Sequence, residues 1–266
     1  MSDQAVPLRL PPGLSPEHAR LLSDVAGRNS AEYGDELLGL VLSGSAGRGL
    51  ATERSDVDVY VVVGRSHGDG FDARSSSIDE STMTIAQLER VPPFGSDGWW
   101  YRWSFAWAPV LLDRTGGRLA AALHLRATVN RDEAQAILVE HDRLDGWLNY
   151  AYRALKNDRD GRRLERRLDA VESVSWLLDV VFTLAGRVRP YNKYLPWELA
   201  HHPLPDWPAA DLLPLLEATI DGDPRALRAT FARVEALCVA DDEQRPTPVL
   251  TQIIEAWGHE LELFRQ

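Results

Sequence analysis

Strand patterns stop near residue 128. Before that point, short apolar runs of strand length alternate with helical periodicity; after it, every periodic segment reads as helix. This limits the chain to an α+β architecture. Residues 1–128 form an α/β half with a small mixed sheet, and residues 129–266 form an all-α half. No internal repeat interrupts either half.

In the first half, Ser15 is placed as an N-cap with Pro16 at the first helical position. Leu38–Leu42, Val57–Val63, Ile78–Thr84 and Val110–Leu112 read as strands. The second is apolar almost throughout apart from Asp58. Residues 64–77 read as a loop. Thr84 and Gln87 have capping-box spacing for a short helix through Arg90, and Pro92-Pro93 ends it. Trp99, Trp103 and Trp107 recur every four residues, so a single helix there would carry all three on one face. Such a face suits core packing or a wall for a stacked ring.

In the second half, Asn130 with Glu133 predicts a long helix from Arg131 to about Lys156, buried along Ala134, Leu138, His141, Leu144, Leu148, Ala151 and Leu155. A second long helix runs from Asp160 or Gly161 to about Arg187. Asp223-Pro224 and Thr247-Pro248 start two more.

Composition removes several function classes. The net charge is −11, whereas a chain that tracks a nucleic-acid backbone usually carries a basic surface, so no nucleic-acid partner is expected. The basic run Arg162–Arg167 is interleaved with Leu and Glu at helical spacing and reads as a solvated face. No apolar run approaches the roughly 18 residues of a membrane span, and Asp179 interrupts the longest, Val174–Ala185. The start MSDQAVPLRL lacks the basic head and apolar stretch of a signal peptide. With Cys238 as the one cysteine, there is no internal disulfide, and a cytoplasmic location is expected.

Chemistry concentrates in Leu42–Val63, LSGSAGRGLATERSDVDVYVVV. A strand ends at Gly44-Ser45, and a short turn leads to a helix expected near Ala46. Asp56 and Asp58 follow inside the next strand. Gly44 permits a sharp turn and close approach of a ligand to the backbone. Ser45 adds a hydroxyl donor. Residues two apart on a strand share a face, so the two aspartates converge. Carboxylates set among Val and Tyr are costly to bury without a cation.

Gly44-Ser45, Arg48-Gly49 and Ser55-Asp56-Val57-Asp58, in that order, resemble the active-site pattern of the DNA polymerase β-like nucleotidyltransferase superfamily over residues 38–63. The resemblance implies nucleotidyl transfer with two Mg²⁺ ions about 3.5–4 Å apart, ATP as substrate and pyrophosphate leaving. Asp56 and Asp58 would hold the metals, and Gly44, Ser45 and Arg48 the nucleotide. A third carboxylate is implied on the neighbouring strand. In the superfamily it precedes the strand's exit into a helix by about five residues, so the resemblance favours Asp79, five before the cap Thr84, over Glu80; adjacent strand residues face opposite ways, so only one can serve.

An α/β half followed by a helical half is similar in architecture to the antibiotic nucleotidyltransferases, the group with kanamycin and lincosamide nucleotidyltransferases. In that group the helical domain closes the cleft and supplies a basic residue to the triphosphate. The resemblance implies a small-molecule acceptor, such as an aminoglycoside-like compound; with no apolar run of membrane-span length, no membrane partner is expected. Lys193, with Tyr191 beside it, is the candidate phosphate ligand; an exposed loop lysine is the plainer reading. Glu172, among Val171, Val174 and Trp176, is either a general base or a surface glutamate. A protein acceptor, or a nucleotide-binding scaffold without catalysis, are the alternatives.

Overall fold

The computed structural model describes residues 7–65 and 73–266. The first six residues of the N-terminal reading and residues 66–72 of the expected loop lie outside the described residues. The chain divides into two compact units, Met1–Ala127 and Thr128–Gln266. No described helix is long and apolar enough to cross a membrane.

Unit 1 begins with helix α1 (Pro16–Tyr33), where the Ser15 hydroxyl accepts from the His18 amide at 3.1 Å. Strands β1 (Leu37–Leu42), β2 (Val57–Val63), β3 (Ala73–Arg74), β4 (Ile78–Thr84) and β5 (Val110–Asp113) form one sheet in the order β3-β4-β2-β1-β5. β1 runs antiparallel to β2 and β5, while β2 and β4 are parallel. One face packs Val57, Val59, Val61 and Val63 against Leu22, Val25 and Ala26 of α1. The other face packs Val41 and Val62 against α2 (Ile85–Glu89), α4 (Arg102–Phe105) and α5 (Arg118–Ala127) through Leu88, Phe105, Leu119 and Leu123. β1 can lie this close to α5 because residue 39 is glycine; a methyl group there would overlap the Leu119 side chain. Thr84 and Gln87 form the expected capping box at the start of α2.

Several local expectations are corrected. The turn after Gly44-Ser45 is a single 3-10 turn, Ala46–Arg48, and not a helix. The tryptophan segment splits into α3 (Asp97–Trp100) and α4, which meet at Tyr101. Trp99 and Trp103 are buried, but Trp107 lies beyond both helices at φ 59° and is exposed, so no common face exists. α5 had no counterpart among the expected elements.

Unit 2 is helical. Asn130 caps α6 (Arg131–Gln135) by accepting from the Glu133 amide at 2.9 Å. The expected long helix then breaks. A π-helical turn at Ala136–Glu140 is followed by Asp142 in the left-handed region, φ 54°, and α7 starts afresh at Arg143–Arg159. His141 is exposed at this break instead of buried. α8 covers Arg163–Leu184, α9 Leu195–His201, α10 Ala209–Ile220, α11 Pro224–Asp242, α12 Leu250–Glu255 and α13 Glu262–Arg265. Leu148 and Leu155 of α7, Leu177 and Val181 of α8, and Phe231 and Val234 of α11 share one core. The Asp223 cap holds as expected. The start expected at Thr247-Pro248 shifts to Leu250, where buried Asp242 accepts from the amides of Val249, Leu250 and Thr251 at 2.7–3.2 Å.

Candidate functional site

The site residues of unit 1 assemble where β1 leaves the sheet and β2 enters it. The Ser43 amide donates to the Asp58 carbonyl at 2.8 Å, which lays the Gly44 bend across the start of β2. Gly44 has φ 58°, a conformation that favours glycine. A methyl group on it would also overlap the Asp58 carboxylate. The positive φ favours glycine at 44, and the close approach places the Asp58 side chain directly over the bend.

The β2–β4 register sets Asp58 opposite Asp79 and Val59 opposite Glu80. Opposed residues on neighbouring strands point the same way, with backbones about 4.8 Å apart. Asp79 therefore shares the Asp58 face. Glu80 points to the other face, is fully buried, and accepts from Arg28 at 2.8 Å and Asn29 at 2.7 Å, both on α1. Of the two candidates for a third carboxylate, only Asp79 looks toward Asp58.

Asp56 is less tightly placed than expected. β2 begins at Val57, so Asp56 stands one residue before the strand and is exposed. Among the described residues, no three His, Cys, Asp or Glu side chains gather as a metal site. The donor set in register is the Asp58–Asp79 pair, whose carboxylate oxygens suit a hard cation such as Mg²⁺.

Tyr60, next on the same face of β2, senses both carboxylates. Its hydroxyl pairs with Ser104 Oγ at 2.8 Å. Burial pushes the phenol above its ordinary value. The Ser104 bond and the Arg48 charge pull it down, while the negative charges of Asp58 and Asp79 add to the rise.

Ser45 starts the 3-10 turn, yet its hydroxyl does not cap it. Arg48 departs from expectation. It is buried, and its guanidinium donates to the carbonyls of Gly44 (3.0 Å), Trp103 (3.1 Å), Ser104 (3.2 Å) and Ala106 (3.0 Å). A group turned inward to four carbonyl oxygens is not presented to a nucleotide, so the assignment of Arg48 to nucleotide binding is withdrawn.

In unit 2, Lys193, within the 3-10 turn Asn192–Tyr194, and Tyr191, just before it, are exposed, and the Lys193 ammonium lies 4.7 Å from the centre of the Tyr194 ring. Glu172 is an exposed residue of α8, as is its neighbour Val171. The apolar setting expected to make Glu172 a general base is absent, because α8 turns Ser173 and Leu177 inward and Glu172 outward. Arg153 and Lys156 line an open hollow of about 290 Å³, where Arg153 pairs with Asp169 at 3.0 Å.

Comparison with known proteins finds a family match over the strand–bend–strand segment. Residues 23–91 match the nucleotidyltransferase domain family. That span contains Gly44, Ser45, Asp56, Asp58 and Asp79. No curated protein matches the chain. Among solved structures, a nucleotidyltransferase-like protein from Exiguobacterium sibiricum 255-15 aligns over 92% of this chain and 86% of its own, at 13% identity and a TM-score of 0.34. The chain thus carries a nucleotidyltransferase domain at residues 23–91, and its activity class is nucleotidyl transfer.

Proposed function

We propose that this chain moves a nucleoside monophosphate, AMP from ATP by default, to a hydroxyl group of a small molecule and releases pyrophosphate. The observation that carries the reading is the placement of the Asp58 carboxylate over Gly44 and in register with Asp79. Asp58 and Asp79 would hold Mg²⁺, with Asp56 joining from the mouth of β2. The bound metal would neutralise phosphate charge and favour ionisation of the acceptor hydroxyl. Gly44 leaves its backbone open to a phosphate, and Ser45 offers a hydroxyl donor beside it. Tyr60, tied to Ser104, walls the apolar side of the carboxylates.

For the acceptor, the net charge of −11 suits a cationic compound, and an aminoglycoside-like molecule has that character. Calorimetric titration of ATP with Mg²⁺ tests the site. Asp58→Asn is expected to weaken binding about tenfold or more through loss of a charged metal ligand. Equal binding by wild type and variant would refute the metal assignment. Incubation with labelled ATP and a panel of aminoglycosides, lincosamides and cell lysate then identifies the acceptor class; label on protein alone would replace the small-molecule reading. For Lys193, the Lys193→Ala variant decides: a raised KM for ATP keeps it as a phosphate ligand, and an unchanged KM removes it.

A further inference from the structure

Arg48 is the first of three buried arginines in unit 1 that donate to backbone carbonyls at the ends of helices. Arg48 reaches the carbonyls of Trp103, Ser104 and Ala106 at the end of α4. Arg102, on α4 and fully buried, reaches those of Leu125 (3.0 Å) and Arg126 (3.1 Å) at the end of α5. Arg126, on α5, reaches those of Gln87 (2.6 Å) and Leu88 (2.9 Å) at the end of α2. α2 follows β4, the strand of Asp79, without a break. The series therefore starts at the Gly44 carbonyl and ends on the helix that continues the Asp79 strand.

Each link has the same physical form. The last carbonyls of a helix lack intrahelical partners and carry partial negative charge. A guanidinium supplies a planar fork of donors that can join several at once. Each also lies over an aromatic ring of the 99–105 segment: Arg48 over Trp103 at 4.1 Å, Arg102 over Trp99 at 4.4 Å, and Arg126 over Phe105 at 5.3 Å. This gives Trp99, Trp103 and Phe105 a packing role without a stacked ligand. Ser43 adds a parallel tie, donating to the Ser104 carbonyl at 2.7 Å.

We propose that Arg48, Arg102 and Arg126 are positioning residues that fix the Gly44–Ser45 bend relative to the Asp79 strand, and so set nucleotide affinity without touching the nucleotide. The proposal rests on the reading that this bend holds the triphosphate.

The test is titration of ATP with Mg²⁺ into wild type, Asp58→Asn, Arg48→Lys, Arg102→Lys, the Arg48→Lys/Arg102→Lys double variant and Ser43→Ala, with thermal unfolding of each. Lysine keeps the charge but not the fork, so Arg48→Lys is expected to bind about tenfold more weakly. Arg102→Lys, one link further from the bend, is expected to lose about threefold, and the double variant less than the product, as coupled sites do. Wild-type affinity in Arg48→Lys, or an effect of Arg102→Lys on melting alone, would overturn the proposal. Should Arg48→Lys fail to fold, Ser43→Ala carries the test: about threefold weaker binding with melting nearly unchanged supports it, and unchanged affinity overturns it. Failure of the underlying reading looks different, because wild type and Asp58→Asn would then bind alike.

Discussion

The two units bury arginine differently. In unit 1, Arg48, Arg102 and Arg126 are held by carbonyl oxygens and aromatic faces. In unit 2 the half-buried arginines Arg143, Arg187, Arg189 and Arg245 meet carboxylates, and Arg187 and Arg189 donate to the carbonyls of His202 and Ser175 as well. Arg187 pairs with Glu198, which is 1% exposed. Arg143 and Arg189 flank Asp179 at 3.5 and 3.3 Å, and Arg245 contacts Asp241 at 2.5 Å and Asp242 at 3.6 Å. A carbonyl cannot be protonated away, so the clamps of unit 1 are insensitive to acid. A carboxylate can, and the ties of unit 2 depend on pH. Burial, with the nearby Arg102 charge, brings Arg126 down to about 10.

The sharpest break in this contrast comes from removing one partner on each side. Glu198→Gln leaves the Arg187 guanidinium without its countercharge, and a loss of about 3–5 kcal/mol is expected, read by urea unfolding. Arg102→Met keeps most of the volume but strands two helix-end carbonyls, for about 2–3 kcal/mol; a smaller loss than about 1 kcal/mol would mean that water can replace the clamp.

A finer probe is Asp242. Burial raises its carboxyl, but hydrogen bonds from Thr251, Val249 and Leu250 outweigh this and hold it below its ordinary value. A depressed folded value stabilises the native state above the unfolded value of about 3.9 and is lost as pH falls through the folded one. Asp242→Asn should therefore cost about 1–2 kcal/mol at neutral pH, with the difference from wild type closing in acid below about pH 4. Asp179 has the opposite sign. Burial raises it despite Arg189 and Arg143, so its contribution is fully present below the unfolded value and declines as pH rises through the folded one.

Much of the site was legible in the sequence because it is local. Asp58 and Asp79 lie on short strands whose period of two fixes their faces, Gly44 follows β1 within two residues, and the spacing to Thr84 that the family resemblance implies favoured Asp79 over Glu80. Arg48 was not legible. An arginine after a glycine bend reads the same whether it turns to a phosphate or to carbonyls, and three of its four carbonyl partners lie 55–58 residues downstream. Glu172 misled because its apolar neighbours in sequence are not its neighbours on the helix surface. The break at Asp142 escaped because the apolar period of α6 and α7 continues across the π-turn.

The pairing of Asp58 with Asp79 has one more consequence. Their Cα positions are fixed by the hydrogen-bonded β2–β4 ladder, so the backbone beneath the two carboxylates is inelastic. Lengthening either side chain by one methylene moves a carboxylate without moving its strand. Asp79→Glu, conservative in charge, should thus behave as a change of ruler: if the pair holds a cation as proposed, the variant alters which cation radius it accepts.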